Sequence, residues 1–211
     1  MIKIENLSKR FKDNLILNNI NLEFRDGMSY AIIGTNGSGK SVLLKLICGF
    51  SKPTTGTIIA DGNRVGIDCD FIKNSGIFIN APEFINDLTG RQNLELISTI
   101  RNIVSKQDID SLLSKLLMST YADKKVKHYS LGMKQKLRIA QAIMESPSIL
   151  ILDEPMNALD KENIILVRQI LQEFVKKGNL LIFTSHNKDD IDLLADVIFE
   201  INDGTIIDHQ S

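Results

Sequence analysis

The sequence predicts an α/β protein built on a mostly parallel sheet, and three observations carry that prediction. Two nearly all-apolar runs, "SILILDEP" and "NLLIFTSH", flank the helical stretch "NIILVRQILQEFVKKG". Strands apolar on every face suit a parallel sheet covered on both sides. The first third of the chain is rich in short β-branched runs, whereas 89–118 places apolar residues at helical three-to-four spacing.

Taken in order, "IKIENL", "NNINLEF", "SYAIIG" and "GTIIADG" read as strands, with turn chemistry at Asp26-Gly27 and Asp61-Gly62. "SGIFIN" (75–80) reads as a further strand. From Thr89 to about Met118, "LTGRQNLELISTIRNI" and "SKQDIDSLLSKLL" read as helix, and "MKQKLRIAQAIMESP" as another running up to Pro147. Gly178 is the expected stop of the helix between the two apolar strands. "DVIFEINDGTIIDH" closes as a hairpin around Asp203-Gly204.

The bulk numbers exclude several classes. The 211 residues suffice for one large core, or one core with a small inserted subdomain. A net charge of −1 offers no nucleic-acid footprint, so no nucleic-acid partner is expected. The two cysteines, Cys48 and Cys69, lack metal-ligand spacing and read as reduced thiols. No charged-then-apolar leader opens the chain, and no apolar run reaches the roughly 18 residues a membrane span needs. The nearest, "VLLKLICGF", is interrupted by Lys45.

"GTNGSGKS", Gly34 to Ser41, fits G-x-x-x-x-G-K-[ST] completely, between the strand "SYAII" and the helix "SVLLKLICGF". In such a P-loop, glycines let backbone N–H groups close around phosphates, and the helix dipole adds to the field. Lys40 would reach the β- and γ-oxygens, and the Ser41 hydroxyl would bind Mg²⁺. The nucleotide-binding set is thus Gly34, Thr35, Asn36, Gly37, Ser38, Gly39, Lys40, Ser41 and Val42. Kinases, GTPases and ATPases all remain open at this point. "DLTG" (87–90) fits D-x-x-G and "NKDD" (187–190) fits N-K-x-D, as a GTPase would require. However, "DLTG" lacks an apolar strand directly before it, and "NKDD" starts three residues past "LLIF".

"ILILDEP" ends an apolar strand in Asp153 and Glu154, at the carboxyl edge where open α/β sheets bind ligands. Asp153 suits the surroundings of Mg²⁺, and Glu154 would face the water attacking the γ-phosphate. His186, just past "LLIFTS", is one of three histidines, and its imidazole could donate to the γ-phosphate or be structural. His128 reads as a surface residue.

The order "GTNGSGKS", "YSLGM", "ILILDEP", "NALD", "TSH" resembles the ATP-binding subunits of ABC transporters over essentially the whole chain. "YSLGMKQ" is similar to the ATPases of bacitracin- and lantibiotic-type exporters. The resemblance implies a P-loop NTPase core with a mostly parallel sheet, an N-terminal antiparallel β subdomain and an inserted helical subdomain. Residues 1–80 and 131–211 would form the core and 81–130 the helical part. It implies a head-to-tail dimer with a second cassette, the same chain or a related one. Each ATP would lie between one chain's phosphate loop and the other's signature helix. Tyr129 to Met133 stand in the signature positions, with Ser130, Gly132 and Met133 facing the partner's ATP. A helix N-terminus carries about half a positive charge, which favours that contact, and Ser130 can also cap the helix.

The resemblance further implies a transmembrane permease partner, ATP hydrolysis coupled to export of a peptide or antibiotic, and a cytoplasmic place on the inner membrane face. Phe11 falls where the family stacks an aromatic on adenine, with a core phenylalanine as the alternative. "NALD" (157–160) matches the loop that crosses the dimer interface, with Asp160 shaping its turn. Asn80 falls where the family has Gln or Glu as a Mg²⁺ sensor, and it is one methylene shorter than Gln. Two alternatives stay open: a non-transport ABC module on ribosomes or DNA, and a catalytically silent cassette.

Overall fold

The structure, a computed structural model, describes residues 1–80 and 83–209. Its first two strands, β1 (Ile2–Phe11) and β2 (Asn14–Phe24), pair antiparallel. Ile2 and Ile4 point inward at a period of two. Asn6 then takes φ 50, the register shifts, and Leu7 is the next buried side chain. Strand β3 (Ser29–Ile33) leads into the phosphate loop and α1 (Lys40–Cys48). Strand β4 (Thr55–Ala60) turns at Asp61-Gly62 into the short β5 (Asn63–Arg64), with φ 47 and 79 at the turn. Two positive φ values are what a type I′ two-residue hairpin turn requires. These strands form an antiparallel sheet in the order β2-β1-β4-β5.

The chain enters the second sheet again at β6 (Ser75–Phe78) and then turns helical. The stretch 89–118 holds two helices, one in each of its periodic runs: α2 (Gly90–Ser98) and α3 (Lys106–Lys115). Each opens on a reciprocal cap, Thr89 with Gln92 and Ser105 with Asp108. A 3-10 turn at Val126–His128 precedes α4 (Leu131–Ile143), with His128 exposed as expected. Strand β7 (Ile149–Leu152), α5 (Lys161–Lys176) and β8 (Leu180–Thr184) follow as predicted, with Gly178 at φ 87 behind α5. A helix absent from the sequence prediction, α6 (Lys188–Leu194), comes next, and β9 (Val197–Asn202) and β10 (Thr205–His209) close the hairpin.

The second sheet runs β10-β9-β3-β8-β7-β6, parallel throughout except for the β10 edge. Every residue of β7 and β8 is buried. Ile149, Ile151, Leu180 and Ile182 pack toward α1 and the antiparallel sheet. Leu150, Leu152, Leu181 and Phe183 pack toward α4 and α5, in a cluster that Leu94, Ile109 and Leu113 of α2 and α3 also join. Two apolar faces explain the unbroken apolar runs that predicted the fold. The start of the predicted helical segment, 81–82, lies outside the described residues. No helix among the described residues is long and apolar enough to cross a membrane.

Candidate functional site

The loop between β3 and α1 is shaped by its glycines: Gly34, Gly37 and Gly39 take φ 144, 83 and 109. Side chains avoid such angles, so glycine is needed wherever the backbone must curl this tightly. Gly39 caps α1, and Lys40 is the helix's first residue. The Lys40 ammonium is buried and donates to the carbonyls of Gly34 (2.8 Å) and Thr35 (3.0 Å). Burial pushes its pKa down, partly offset by the carboxylates of Glu154 and Asp153. The Ser38 hydroxyl oxygen is buried and lacks a hydrogen-bond partner among the described residues. A buried polar group left this way is costly unless a ligand supplies the partner.

Asp153 and Glu154 leave the end of β7 toward the same loop. Ser41 donates to Asp153 Oδ2 at 2.8 Å. Thr184, fully buried at the end of β8, donates to Asp153 Oδ1 at 2.7 Å and accepts from Glu154 N at 2.8 Å. Glu154 itself takes φ 52. Its Oε1 is 3.1 Å from His186 Nε2, close in distance but not aligned as a hydrogen bond. Burial raises the Glu154 pKa, the facing His186 lowers it, and the Asp153 charge raises it again. Asp190 of α6 accepts from Arg168 Nε at 2.8 Å and from Ser185 at 3.2 Å, which fixes the residue preceding His186.

Gly39, Lys40, Ser41, Asp153, Glu154 and His186 line a cavity of about 520 Å³, together with Phe11, Ile16, Asn36, Gly37, Val42 and Asn157. That volume is ordinary for a small-ligand site. A larger cleft of about 810 Å³ lies against β2 and β9, but neither the phosphate loop nor the acid pair contributes to it. Phe11 is half exposed on the cavity wall, so the core alternative for it is corrected. Gly34, Thr35 and Ser38 stand behind the wall and shape the loop rather than line it.

Asn80 is not gathered into this site. It is exposed, lies two residues past β6 with φ 54, and is absent from the cavity wall. Ser130, Gly132 and Met133 are not gathered either. They line a separate cleft of about 450 Å³ with Lys136, Ala158 and Asp160. Ser130 does cap α4, accepting from Met133 N at 3.2 Å, and Asp160 caps α5 by accepting from Asn163 N. Tyr129, the first of the signature positions, stands apart from them. It is buried, donates to the Tyr121 carbonyl at 2.8 Å, and burial pushes its hydroxyl up to about 12.

Ile16, Asn157, Thr184 and Gln135 were not singled out as site residues by the sequence, although "NALD" contains Asn157. The hydroxyl ending the apolar run "LLIFT" was the available signal for Thr184. The GTPase-like tetrapeptides are helix caps: Thr89 starts α2, and the Asn187 side chain accepts from the backbone N–H of Asp189 and Asp190.

The ABC transporter family profile matches residues 17–157. This chain belongs to the ABC transporter ATP-binding family. The ABC transporter ATP-binding protein YybJ of Bacillus subtilis is 40% identical over 206 residues, spanning 98% of this chain and 94% of that protein. The lantibiotic transport ATP-binding protein SrtF of Streptococcus pyogenes is 38% identical over 207 residues, spanning 98% and 89%. The bacitracin transport ATP-binding protein BcrA of Enterococcus faecalis is 35% identical over 210 residues, spanning 99% and 68%. Among solved structures, the dimeric post-hydrolysis cassette MJ0796 bound to ADP and Pi matches with a TM-score of 0.89 at 24% identity, covering 100% of this chain and 98% of that one. An ATP-binding subunit of an ABC transporter matches equally, at 0.89 and 24%, covering 100% and 90%. At that identity the structural likeness speaks for the fold. The chain is thus the ATP-binding, ATP-hydrolysing subunit of an ABC transporter, and nothing in these matches supports the GTPase or ribosome- and DNA-associated alternatives.

Proposed function

We propose that this ABC ATPase drives export of a peptide, antibiotic or similar compound through a separate membrane permease. In this reading it works as a head-to-tail pair of cassettes. The observation carrying the pair is the separation of two half-sites on one chain. The Lys40–Glu154–His186 cavity and the Ser130–Met133 cleft share no lining residue. A helix start with a serine cap and a glycine at its second position is suited to a phosphate, yet no phosphate loop of its own chain lines the same cleft. A second copy would supply one.

In this reading Lys40 leaves its loop carbonyls for the β- and γ-oxygens of ATP. Phe11 stacks on adenine from the cavity mouth. Glu154 orients the attacking water and takes its proton as the water oxygen bonds to the γ-phosphorus and the bridging P–O bond breaks. His186 donates to the γ-phosphate. The hydroxyl of Ser41 and the carboxylate of Asp153 are paired hard oxygens facing the cavity, a donor set that fits Mg²⁺. The ion, when bound, neutralises charge on the β- and γ-oxygens. Asn80, outside the cavity, would sense the ion only after the chain around it moves. Residues 1–80 and 131–211 act as the core and 81–130 as the helical subdomain facing the permease.

Support for export comes from the relatives named for lantibiotic and bacitracin transport. The experiment is sedimentation of Glu154→Gln with and without ATP and Mg²⁺. Accumulation of an ATP-bound dimer is expected. A variant that binds ATP yet stays monomeric at saturating nucleotide would overturn the shared-site reading.

A further inference from the structure

The geometry points to Gln135 as a positioning residue that holds Glu154 in place and ties it to the start of α4. This rests on the reading of Glu154 as the residue that orients water. Gln135 lies in the second turn of α4 and is only 4% exposed. Its Nε2 donates to two successive carbonyls, those of Glu154 and Pro155, each at 3.0 Å. Its Oε1 accepts from Arg138 Nη1 at 3.2 Å. With the oxygen committed to a guanidinium, the amide nitrogen has to face the carbonyls. Arg138 is buried too, its guanidinium carbon 5.9 Å from the Phe78 ring at the end of β6.

Glu154 needs such a hold. It adopts φ 52 although it carries a side chain, and it precedes a proline, which disfavours helical backbone angles. A conformation of this kind persists only where its surroundings fix it. Thr184 fixes the Glu154 N–H and Gln135 fixes the carbonyl. One turn earlier on the same helix face, Gly132 meets the same loop: a Cβ there would stand 2.7 Å from the Ala158 carbonyl oxygen. The helix start that carries Ser130 is therefore tied to the segment that aims Glu154 by the Gln135 amide, and packs closely against the same segment at Gly132. In a two-cassette arrangement those ends serve different nucleotides, so a shift of α4 at one site reaches the carboxylate at the other.

The test is Gln135→Met, close in volume but without a donor. The expected result is kcat for ATP hydrolysis reduced about 10- to 100-fold, the scale of a small misplacement of a reacting group. ATP affinity should stay within about twofold, because no ATP-contacting group is removed. The variant should accumulate the ATP-bound dimer as Glu154→Gln does, an outcome that a general loosening of α4 would not give. In the Glu154→Gln background, Gln135→Met should slow residual hydrolysis no further. Should Gln135→Met fail to fold, Arg138→Gln leaves the amide in place but unoriented, and a selective fall in kcat is again expected. Wild-type kcat in the folded variant, or a multiplicative loss in the double variant, overturns the proposal. If Glu154→Gln is slow while Gln135→Met is normal, only this proposal falls. If Glu154→Gln hydrolyses at the wild-type rate, the reading of Glu154 falls with it.

Discussion

Ser41 donates its hydroxyl to Asp153 Oδ2 at 2.8 Å, joining the second residue of α1 to the residue after β7 across 112 positions of sequence. The bond preorganises two oxygens that Mg²⁺ would use, and it makes the ion's affinity sensitive to either partner. Ser41→Ala is expected to raise the Mg²⁺ concentration needed for half-maximal hydrolysis by about 10- to 100-fold, the cost typical of disturbing a metal's immediate surroundings. A Mg²⁺ titration of phosphate release checks this. An unchanged midpoint would take Ser41 out of the metal site.

Thr184 offers a stability prediction. Its hydroxyl bonds Asp153 and Glu154 at once in a fully buried position, so Thr184→Val strands a carboxylate oxygen and a backbone N–H. Stranding a buried polar group costs about 1–3 kcal/mol. Chemical denaturation should show that loss, and hydrolysis should fall with it because Glu154 loses one of its two backbone anchors.

The pH dependence follows from Glu154. Burial raises its pKa, so the acid limb of the hydrolysis profile should lie above the ordinary carboxylate range. For stability the sign is opposite to that of a salt-bridged acid. The protonated form is the favoured one in the folded state, so Glu154's contribution is present below its unfolded pKa and lost as pH rises through the folded value. Glu154→Gln should therefore match or exceed the parent's thermal stability at neutral pH, with the gap closing in acid. Its hydrolysis should fall about 10²- to 10⁴-fold. Thermal melts and phosphate release across pH test both halves.

Gly132 gives a geometric prediction. A methyl group there would press on the Ala158 carbonyl oxygen at 2.7 Å, which is backbone and yields little. Gly132→Ala should leave ATP binding to the isolated chain intact while weakening ATP-driven dimerisation and turnover. Equilibrium binding and sedimentation separate the two effects. Equal loss of both would mean that the start of α4 matters to the chain's own nucleotide site.

Much of the fold is legible in the residues themselves. The apolar runs of β7 and β8 required two covered faces, and Asp61-Gly62 and Asp203-Gly204 turn with the positive φ values that their residue types allow. Helix α6 is not predicted because, at seven residues, it is too short to show a helical period. The Asn of "NKDD" that could read a base is equally a good cap, and the side chain bonds the next turn's N–H groups. The two periodic runs of 89–118 do part where α2 and α3 do, and the second starts on the cap at Ser105.

By itself the sequence determined the phosphate loop, the acid pair at a strand end and the parallel core, because each depends on neighbours within a few residues. Loop curl, strand burial and capping are local matters of backbone angle and periodicity. Only the tertiary structure decided that Phe11 is exposed on the cavity wall, that Asn80 stands off it, and that Thr184 and Gln135 hold Glu154 from two sides. It also decided that Ser130 and Lys40 face different clefts. Those relationships join residues far apart in the chain. They are fixed by which strand lies beside which and by how closely one backbone can approach another, and neither is written in any short stretch of residues.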